Sequence, residues 1–289
     1  MRWHSIFSDV DGTLINTHFE VTQQTRQALL CAMRQGLRFF IVSARSPSGI
    51  TPIIRENGFG CGMIAHSGAL AMDADGMVLY DRGMTQEQAR EVLDELKEIR
   101  QELQTLSKFS GDPFAVSFFS YDDWSAENRP DPRIVEEEGY VKTCSTEGGP
   151  EKLAPGAPVH KIMCLCEPEL LDRLEEMLKE RFPGLNVVRA WENLVEIKAG
   201  GVTKAEAMLA LVRRWGLPPE GTIAFGDHHN DIEMLRAAGC GVAMGNAREA
   251  VKMAADMVTA DNDHDGIAAA LQKLLGDSIL TQQGSFPSL

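Results

Sequence analysis

The sequence lacks any long run of apolar residues and has few positive charges. Its longest apolar runs fall well short of the roughly 18 residues that a membrane-spanning helix needs, which excludes a transmembrane helix. Lysine and arginine number 28 against 42 aspartates and glutamates, so the formal net charge is −14. A surface with this charge repels nucleic-acid backbones and anionic lipids. We therefore expect no nucleic-acid partner and no membrane partner, and any anionic ligand must be held by local donors or by a bound cation.

Cysteines are few and scattered. The chain has six of them in 289 residues, and we expect no signal peptide before the first predicted strand. We expect a soluble, cytoplasmic protein with free thiols. Cys164 and Cys166 point to the same side of an apolar strand, but two ligands do not make a zinc site, so both are interpreted as structural thiols.

The remaining composition is that of a folded globular protein. Hydrophobic residues make up 44% and charged residues 24%, and the length suggests about two domains. Strand and helix patterns alternate in the N-terminal part of the chain, over residues 3–8, 22–35, 37–42, 47–57 and 62–65. This alternation predicts a parallel sheet with helices on its faces.

The alternation of strand and helix patterns stops after the hairpin predicted over residues 70–80. Residues 83–190 contain longer and less regular segments, with loop-like stretches at 122–131 and 146–158, and they indicate a separate α+β unit. The alternating pattern then resumes. We predict one α/β domain formed by residues 1–82 and 191–275, an inserted domain over 83–190, and a C-terminal tail over 276–289.

Two acidic residues follow the first strand directly. Asp9 and Asp11 are only two positions apart, and such a pair is tolerable when a cation shares the site or when one acid stays protonated. Gly12 lets backbone amides approach an anion closely. The alternative interpretation is an ordinary turn in which Asp and Gly end a strand.

A second acidic pair, Asp227 and Asp231, follows the strand predicted over residues 222–225. In a parallel sheet the carboxyl ends of the strands share one rim, so these acids and the first pair can converge there. Four acidic side chains so close together repel one another unless a cation lies between them. A ligand set made only of oxygens suits Mg²⁺ better than Zn²⁺. We interpret the neighbouring His228 and His229 as loop residues.

Two further positions on the same rim offer donors to an anion. Ser43 follows the strand over residues 37–42 and presents a hydroxyl, although it could simply cap the next helix. Lys204 lies in the first turn of a helix, where a cation opposes the helix dipole. This placement indicates either a solvated lysine or an anion held jointly by the lysine and the free amides.

These residues together resemble the haloacid dehalogenase superfamily, and specifically its Cof-type phosphatases with a type IIB cap. Asp9-Val10-Asp11-Gly12-Thr13-Leu14 matches the first family motif, Ser43 the second, Lys204 the third, and the segment from Gly226 to Asp231 the fourth. Residues 238–247 and 263–267 resemble the family's C-terminal stretches. The fold implied is a Rossmann-like parallel-sheet core with an inserted α+β cap of the C2B type.

The sequence departs from the family pattern at three positions. Ser43-Ala44-Arg45 replaces the usual Thr-Gly-Arg, Ser67 stands where Asn usually precedes Gly68, and His228 fills a position that is commonly small. The hydroxyl is retained at Ser43, so the resemblance still implies phosphate binding there. The changes at Ala44 and Ser67 affect how a substrate would sit.

The resemblance implies a mechanism. Asp9 would attack phosphorus to give an aspartyl-phosphate, and Asp11 would act as general acid and base. Mg²⁺ would be held by Asp9, the Asp11 carbonyl and Asp227, and Asp231 would bind a metal-ligating water or position Lys204. Ser43 and Lys204, with the Gly12 amides, would hold the phosphoryl oxygens, and Asn230 would orient nearby groups.

The function implied is hydrolysis of a small phosphorylated metabolite, with a sugar phosphate favoured. A phosphotransferase or phosphomutase with the same aspartyl-phosphate, and a non-catalytic regulator that binds a phosphometabolite, remain as alternatives. The cap would set specificity through Ser67, Arg129, Arg133 and Trp191, although core packing explains Trp191 equally well. We expect a monomer or a homodimer.

Overall fold

The structure is a computed structural model, and it describes residues 3–107, 111–141 and 143–276. The chain divides into two compact units. Among the described residues, the first comprises 3–44, 50–80 and 203–276, and the second comprises 45–49 and 81–202 apart from 108–110 and 142. Each unit has its own sheet.

The sheet of the first unit has eight strands in the order β14-β13-β12-β1-β2-β3-β4-β5. The six strands from β14 to β3 run parallel, and β4 turns back antiparallel to β3. The central strand, β1, therefore lies between two partners from opposite ends of the chain. The strands are β1 (Ser5–Asp9), β2 (Arg38–Val42), β3 (Gly62–Ala65), β4 (Leu70–Met72), β5 (Val78–Asp81), β12 (Thr222–Gly226), β13 (Cys240–Ala243) and β14 (Met257–Val258).

Helices cover the first unit's sheet because its strands are apolar on both faces. On one face, Phe7 and Phe40 pack with the buried side of α6, including Met208 and Leu211. Helices α1 and α9 contact each other, and α1 begins after Thr22, whose hydroxyl accepts the Thr25 N–H. The helices are α1 (Gln23–Arg34), α2 (Pro47–Asn57), α6 (Lys204–Arg214), α7 (Ile232–Ala237), α8 (Glu249–Lys252) and α9 (Gly266–Leu275).

The second unit is built on a six-stranded sheet in the order β10-β11-β9-β6-β7-β8. Its strands pair antiparallel except for β7 with β8. The elements are α3 (Gln86–Ser107), β6 (Phe114–Ser120), β7 (Asp123–Ala126), α4 (Pro132–Val141), β8 (Thr146–Glu147), β9 (Lys161–Cys166), α5 (Leu171–Arg181), β10 (Asn186–Trp191) and β11 (Leu194–Lys198).

The two faces of this second sheet have different coverings. Ile162 and Cys164 of β9 point toward α3 and α5 and form one apolar cluster with them. Met163 and Leu165 point to the other face, where they form a smaller cluster that includes Ile134 of α4. Successive side chains of a strand alternate between faces, so each residue of β9 and β11 can be assigned to one side.

The predicted end of the insert at residue 190 is wrong. Strand β10 continues into β11, which pairs with β9 inside the second sheet, so the compact unit extends to Val202. Trp191 consequently lies at the end of β10 rather than at the return to the first domain. The pairing of β11 with β10 and β9 therefore sets the C-terminal boundary of the second unit. The tail predicted over 276–289 lies, apart from Gly276, outside the described residues.

Two other features concern the helices and the cysteines. None of the helices in the described part of the chain is both long and apolar enough to cross a bilayer. Cys164 and Cys166 are buried, free thiols, and burial is the main cause that raises the pKa of the Cys166 thiol to about 12. A thiol with a raised pKa and little exposure is unreactive, as expected of a structural cysteine.

Replacing Leu211 with alanine tests the packing of α6. Leu211 is fully buried in the apolar cluster that joins α6 to the sheet, and such a truncation costs about 2–5 kcal/mol of unfolding free energy. Urea denaturation should show this loss for Leu211→Ala. The matched control Arg214→Ala, on the exposed side of α6, should change stability by no more than about 0.5 kcal/mol; equal effects would contradict the assigned packing.

Candidate active site

The candidate site lies where three neighbouring strands end. Strand β1 ends at Asp9, β2 ends just before Ser43, and β12 ends just before Asp227. Strand β1 pairs in parallel with both of the others. Their carboxyl ends therefore share one rim of the sheet, as the sequence predicted.

The loop after β1 is wound around the Val10 carbonyl. The backbone N–H groups of Thr13, Leu14 and Ile15 donate to that carbonyl at 3.2, 3.0 and 3.1 Å. Gly12 has a φ of +80°, and a Cβ built there would lie 2.4 Å from Asp227 Oδ2. Only glycine satisfies both the left-handed conformation and this close approach.

Lys204 is the cation of the site. It is the first residue of α6, after the helix cap Thr203, and its side chain is only 2% exposed. The ammonium lies 2.5 Å from Asp9 Oδ1 and 2.7 Å from Asp231 Oδ1. Lys204 thus joins the end of β1 to the loop after β12.

Asp231 and Thr13 fix the second acidic loop. Asp231 is fully buried and accepts the N–H groups of Asp227 and His228 through Oδ2, at 3.1 and 2.9 Å. The Thr13 hydroxyl donates to Asp227 Oδ1 at 2.7 Å. Both carboxylate oxygens of Asp231 thus contact the protein, and these contacts suit a residue that positions Lys204 and the loop after β12.

A left-handed turn at residues 66–68 supports the same rim. His66, Ser67 and Gly68 have φ values of 50°, 55° and 106°, and the Ser67 N–H donates to the Ser43 carbonyl at 2.9 Å. A Cβ on Gly68 would lie 2.2 Å from the Thr203 carbonyl. Consecutive left-handed residues are costly and persist where the surroundings demand them, so this turn holds Ser67 beside Ser43 and close to the start of α6.

Burial and mutual repulsion dominate the electrostatics of the acids. Burial raises the pKa of Asp9 well above its usual value; Lys204 opposes this shift and Asp231 adds to it. Burial also raises the pKa of Asp227 to about 6 against the Thr13 hydrogen bond. Burial alone would lower the pKa of Lys204, but Asp231 and Asp9 outweigh it and keep the ammonium charged.

This donor set fits a divalent cation. Asp9, Asp227 and Asp231 each present a carboxylate oxygen within 4.8 Å of the others, while Lys204 supplies one positive charge. A second source of positive charge would relieve the repulsion that raises the pKa values of Asp9 and Asp227. Oxygen ligands alone are typical of Mg²⁺; Asp9 and Asp227 would hold it directly, with Asp231 beside them.

The other predicted residues lie in different surroundings. Asp11 and Asn230 are exposed, as are His228 and His229, and the described carboxylate cluster does not include Asp11. Arg129 is paired with Glu138 at 3.1 Å. In the second unit, Arg133 is paired with Asp131 at 2.8 Å and with Glu167 at 3.3 Å. Trp191 is 71% exposed, so the packing explanation for Trp191 does not hold in this structure.

The sequence pattern of the family described as "haloacid dehalogenase-like hydrolase" matches residues 6–271. The chain belongs to this family. The match spans the parts of the chain that supply Asp9, Ser43, Lys204 and Asp227, which the fold brings to one rim.

Known haloacid dehalogenase-like proteins are similar to this chain over most of its length. A putative phosphatase of Haemophilus influenzae is 31% identical over 274 residues, covering 94% of this chain and 98% of the relative. The pyridoxal phosphate phosphatase YbhA of Escherichia coli is 27% identical, covering 93% and 97%. The solved structure of the subclass IIB sugar phosphatase BT4131 superposes with a TM-score of 0.75 at 26% identity, covering 94% and 98%.

These similarities confirm the family, the fold class and the class of enzyme expected from the sequence. The protein is a Cof-type phosphatase of the haloacid dehalogenase superfamily, with an α/β core and an inserted cap.

Sequence reasoning missed two residues of this haloacid dehalogenase-type site. Thr13 orients Asp227, and the Asn246 side chain donates to the Gly12 carbonyl at 2.8 Å. Both lie inside stretches noted for their family resemblance, but that resemblance gave no role to either side chain. Each partner is more than 200 residues away in the chain, which is why spacing alone could not reveal these contacts.

Metal binding at the carboxylate cluster can be measured without turnover. Mg²⁺ at about 100 times its Kd should stabilise the folded protein by about 2.7 kcal/mol, which raises the Tm by several degrees. Asp227→Asn should abolish this rise without lowering the Tm of the metal-free protein, because it removes a repelled charge. Asp75→Asn, at an exposed hairpin tip, should keep the full rise; loss of the Mg²⁺ effect in this control would contradict the assigned site.

Proposed function

We propose that this protein is a Mg²⁺-dependent phosphatase that hydrolyses a small phosphorylated metabolite through an aspartyl-phosphate on Asp9. The observation that supports it most is the buried contact of Lys204 with both Asp9 and Asp231. A lysine in this position neutralises charge beside the carboxylate that we assign as nucleophile. It is also placed to hold phosphoryl oxygens as they approach Asp9.

In the first half of the reaction, a carboxylate oxygen of Asp9 forms a bond to phosphorus while the bond from phosphorus to the ester oxygen breaks. Asp11 donates a proton to the departing oxygen, so the leaving group departs as an alcohol. Asp11 is exposed at the start of the loop, which suits a group that exchanges protons with both substrate and water. Ser43, Lys204 and the Gly12 backbone hold the phosphoryl oxygens.

In the second half, Asp11 accepts a proton from water as the water oxygen attacks phosphorus. The bond to Asp9 breaks, inorganic phosphate leaves, and Asp9 is regenerated as a carboxylate. When bound, Mg²⁺ would reduce the repulsion between the acids and an anionic substrate. Asp231 keeps Lys204 in place throughout, and we assign Asn230 to orienting nearby groups at the loop surface.

A sugar phosphate is the substrate class that we favour. The support is similarity to a sugar phosphatase of subclass IIB, while another relative is named as a pyridoxal phosphate phosphatase. Fold similarity does not determine a substrate. A panel of phosphorylated sugars, nucleotides and vitamin cofactors, assayed with Mg²⁺ for phosphate release, is the direct test of the substrate class.

For specificity, Ser67 and Trp191 are the stronger of the four proposed residues. Ser67 lies next to Ser43 on the rim, and Trp191 presents an exposed aromatic ring on the inserted unit. Arg129 and Arg133 are weaker candidates, because ion pairs already engage their guanidinium groups.

Removing the nucleophile tests the mechanism. Asp9→Asn should lower Mg²⁺-dependent phosphate release from p-nitrophenyl phosphate by at least ~10³-fold, because no aspartyl-phosphate can form. The folded state should persist, as measured by circular dichroism. Asp75→Asn serves again as the control and should retain wild-type turnover. Saturable substrate binding by the wild type without phosphate release would favour a regulator, and phosphate transfer to added sugar acceptors would favour a phosphotransferase.

Replacing Trp191 separates recognition from packing. Because its side chain is largely exposed, Trp191→Ala should leave the Tm nearly unchanged. If the ring contacts the leaving group, the relative kcat/KM values across the substrate panel should change by about tenfold for the best substrates. Unchanged relative rates would remove Trp191 from the specificity proposal.

A further inference from the structure

Two asparagines lie on the same rim as the candidate active site, and neither takes part in the proposed reaction steps. Asn246 follows β13 and Asn262 follows β14. Strand β13 runs parallel to β12, and β14 runs parallel to β13 at the edge of the sheet. The carboxyl ends of β13 and β14 therefore extend the rim that β1 and β12 form.

Each asparagine donates a hydrogen bond to a backbone carbonyl of the loop after β1. Asn246 Nδ2 lies 2.8 Å from the Gly12 carbonyl, and Asn262 Nδ2 lies 2.9 Å from the Ile15 carbonyl. Between these two carbonyls lies the turn whose N–H groups donate to the Val10 carbonyl. The two side chains therefore hold this turn at both of its ends.

The orientation of the Asn246 side-chain amide is determined by its two partners. Its Oδ1 accepts the Asn262 N–H at 3.3 Å, while its Nδ2 donates to the Gly12 carbonyl. A backbone N–H only donates and a carbonyl only accepts, so the reversed amide would make neither bond. The loop that carries Asn246 is held in turn, because the Gly245 N–H donates to the Ala260 carbonyl at 3.1 Å.

Gly12 is a position that needs such support. It is left-handed and approaches Asp227 closely, which requires glycine, but glycine has more conformational freedom than any other residue. The peptide group between Gly12 and Thr13 is held from both sides. Its N–H donates to the Val10 carbonyl at 3.2 Å, and its carbonyl accepts from Asn246. The contact with Asn246 thus restrains a peptide group that the lack of a side chain leaves free to rotate.

Asp11, the proposed general acid and base, comes directly before Gly12. Its backbone also pairs with that of Ile15 across the turn. The direction of the Asp11 side chain therefore depends on the backbone that Asn246 and Asn262 hold. General acid catalysis requires the carboxyl to lie within hydrogen-bond reach of the departing oxygen, and a displacement of about 1 Å can lower a rate by roughly 10²-fold.

Stability alone accounts poorly for the contact between Asn246 and Gly12. Asn246 is exposed, and an exposed hydrogen bond adds little to stability because water can replace either partner. The same two segments of the chain are joined a second time by Asp263, whose Oδ1 accepts the N–H and the hydroxyl of Thr17, both at 2.9 Å. This second contact lies farther along the loop from Asp11 and offers a matched comparison.

We propose that Asn246 is a positioning residue for the acid–base step: it fixes the Gly12 peptide and thereby directs the Asp11 carboxyl toward the departing oxygen. Asn262 supports this role through its N–H to Asn246 and its side-chain amide to Ile15. Because both asparagines act through the backbone, neither is a catalytic residue. This inference rests on the proposed phosphatase function and adds to it that protonation of the leaving group depends on Asn246.

Two substrates whose leaving groups differ in their need for a proton test this dependence. p-Nitrophenolate departs readily without a proton, whereas the more basic phenolate departs slowly unless an acid protonates it. Values of kcat/KM for p-nitrophenyl phosphate and phenyl phosphate report the steps up to this departure. Asn246→Ala removes the contact with Gly12. Thr17→Val, the matched control, removes a hydroxyl contact between the same two segments.

Asn246→Ala should lower kcat/KM for phenyl phosphate by about tenfold more than for p-nitrophenyl phosphate, because a misdirected acid penalises the substrate that needs the proton. Asn262→Ala should change the ratio of the two values in the same direction. Thr17→Val should keep the wild-type ratio. Circular dichroism and the Tm of each variant establish that the folded state persists.

An equal loss of Asn246→Ala on both aryl phosphates would assign Asn246 to binding or stability and overturn the inference. An equal change of the ratio in Thr17→Val would also overturn it, because any contact between the two segments would then suffice. If Asn246→Ala does not fold, the ratio in Asn262→Ala decides by the same criterion. A wild type that releases phosphate from neither substrate overturns the phosphatase proposal together with this inference, whereas release with an unchanged ratio in the variants overturns this inference alone.

Discussion

The site depends on the contact of the Lys204 ammonium with Asp9 and Asp231. Three carboxylates meet at the ends of β1 and β12, and bringing them together out of water is unfavourable because like charges repel and burial disfavours ionisation. Lys204 touches two of them and is itself buried. The rest of the local structure serves this arrangement: Thr203 begins the helix that carries the lysine, and Asp231 ties the lysine to the loop after β12.

Much of this site could be predicted because its residues follow apolar strands directly. Asp9 ends a buried strand, and Ser43 and Asp227 each follow one directly; a parallel sheet brings such positions to one edge whatever their distance in sequence. The charge of Lys204 was recognisable as anomalous because it begins a helix. Family resemblance then supplied roles that residue types alone left open.

Other features of the fold could not be predicted from the sequence, for physical reasons. Strand β11 is only five residues long and carries buried Glu196 and Lys198 on one face, so it was not recognised as a strand, and the insert was predicted to end too early. Strand β7 lies within a stretch whose polar residues indicated a loop. In each case the polar side chains are accommodated by tertiary pairing, which local sequence does not display.

The pairing of β1 has a consequence for how the chain acquires its structure. The register joins Phe7 to Phe40 on one side and to Ala224 on the other, so one neighbour of the central strand is made soon after it and the other more than 200 residues after it. During synthesis, the hydrophobic strand that ends in Asp9 stays half-paired until β12 has left the ribosome. Long-range pairing of this kind slows folding. A nascent chain that does not yet include the loop after β12 lacks Asp227 and Asp231, so it cannot form the carboxylate cluster.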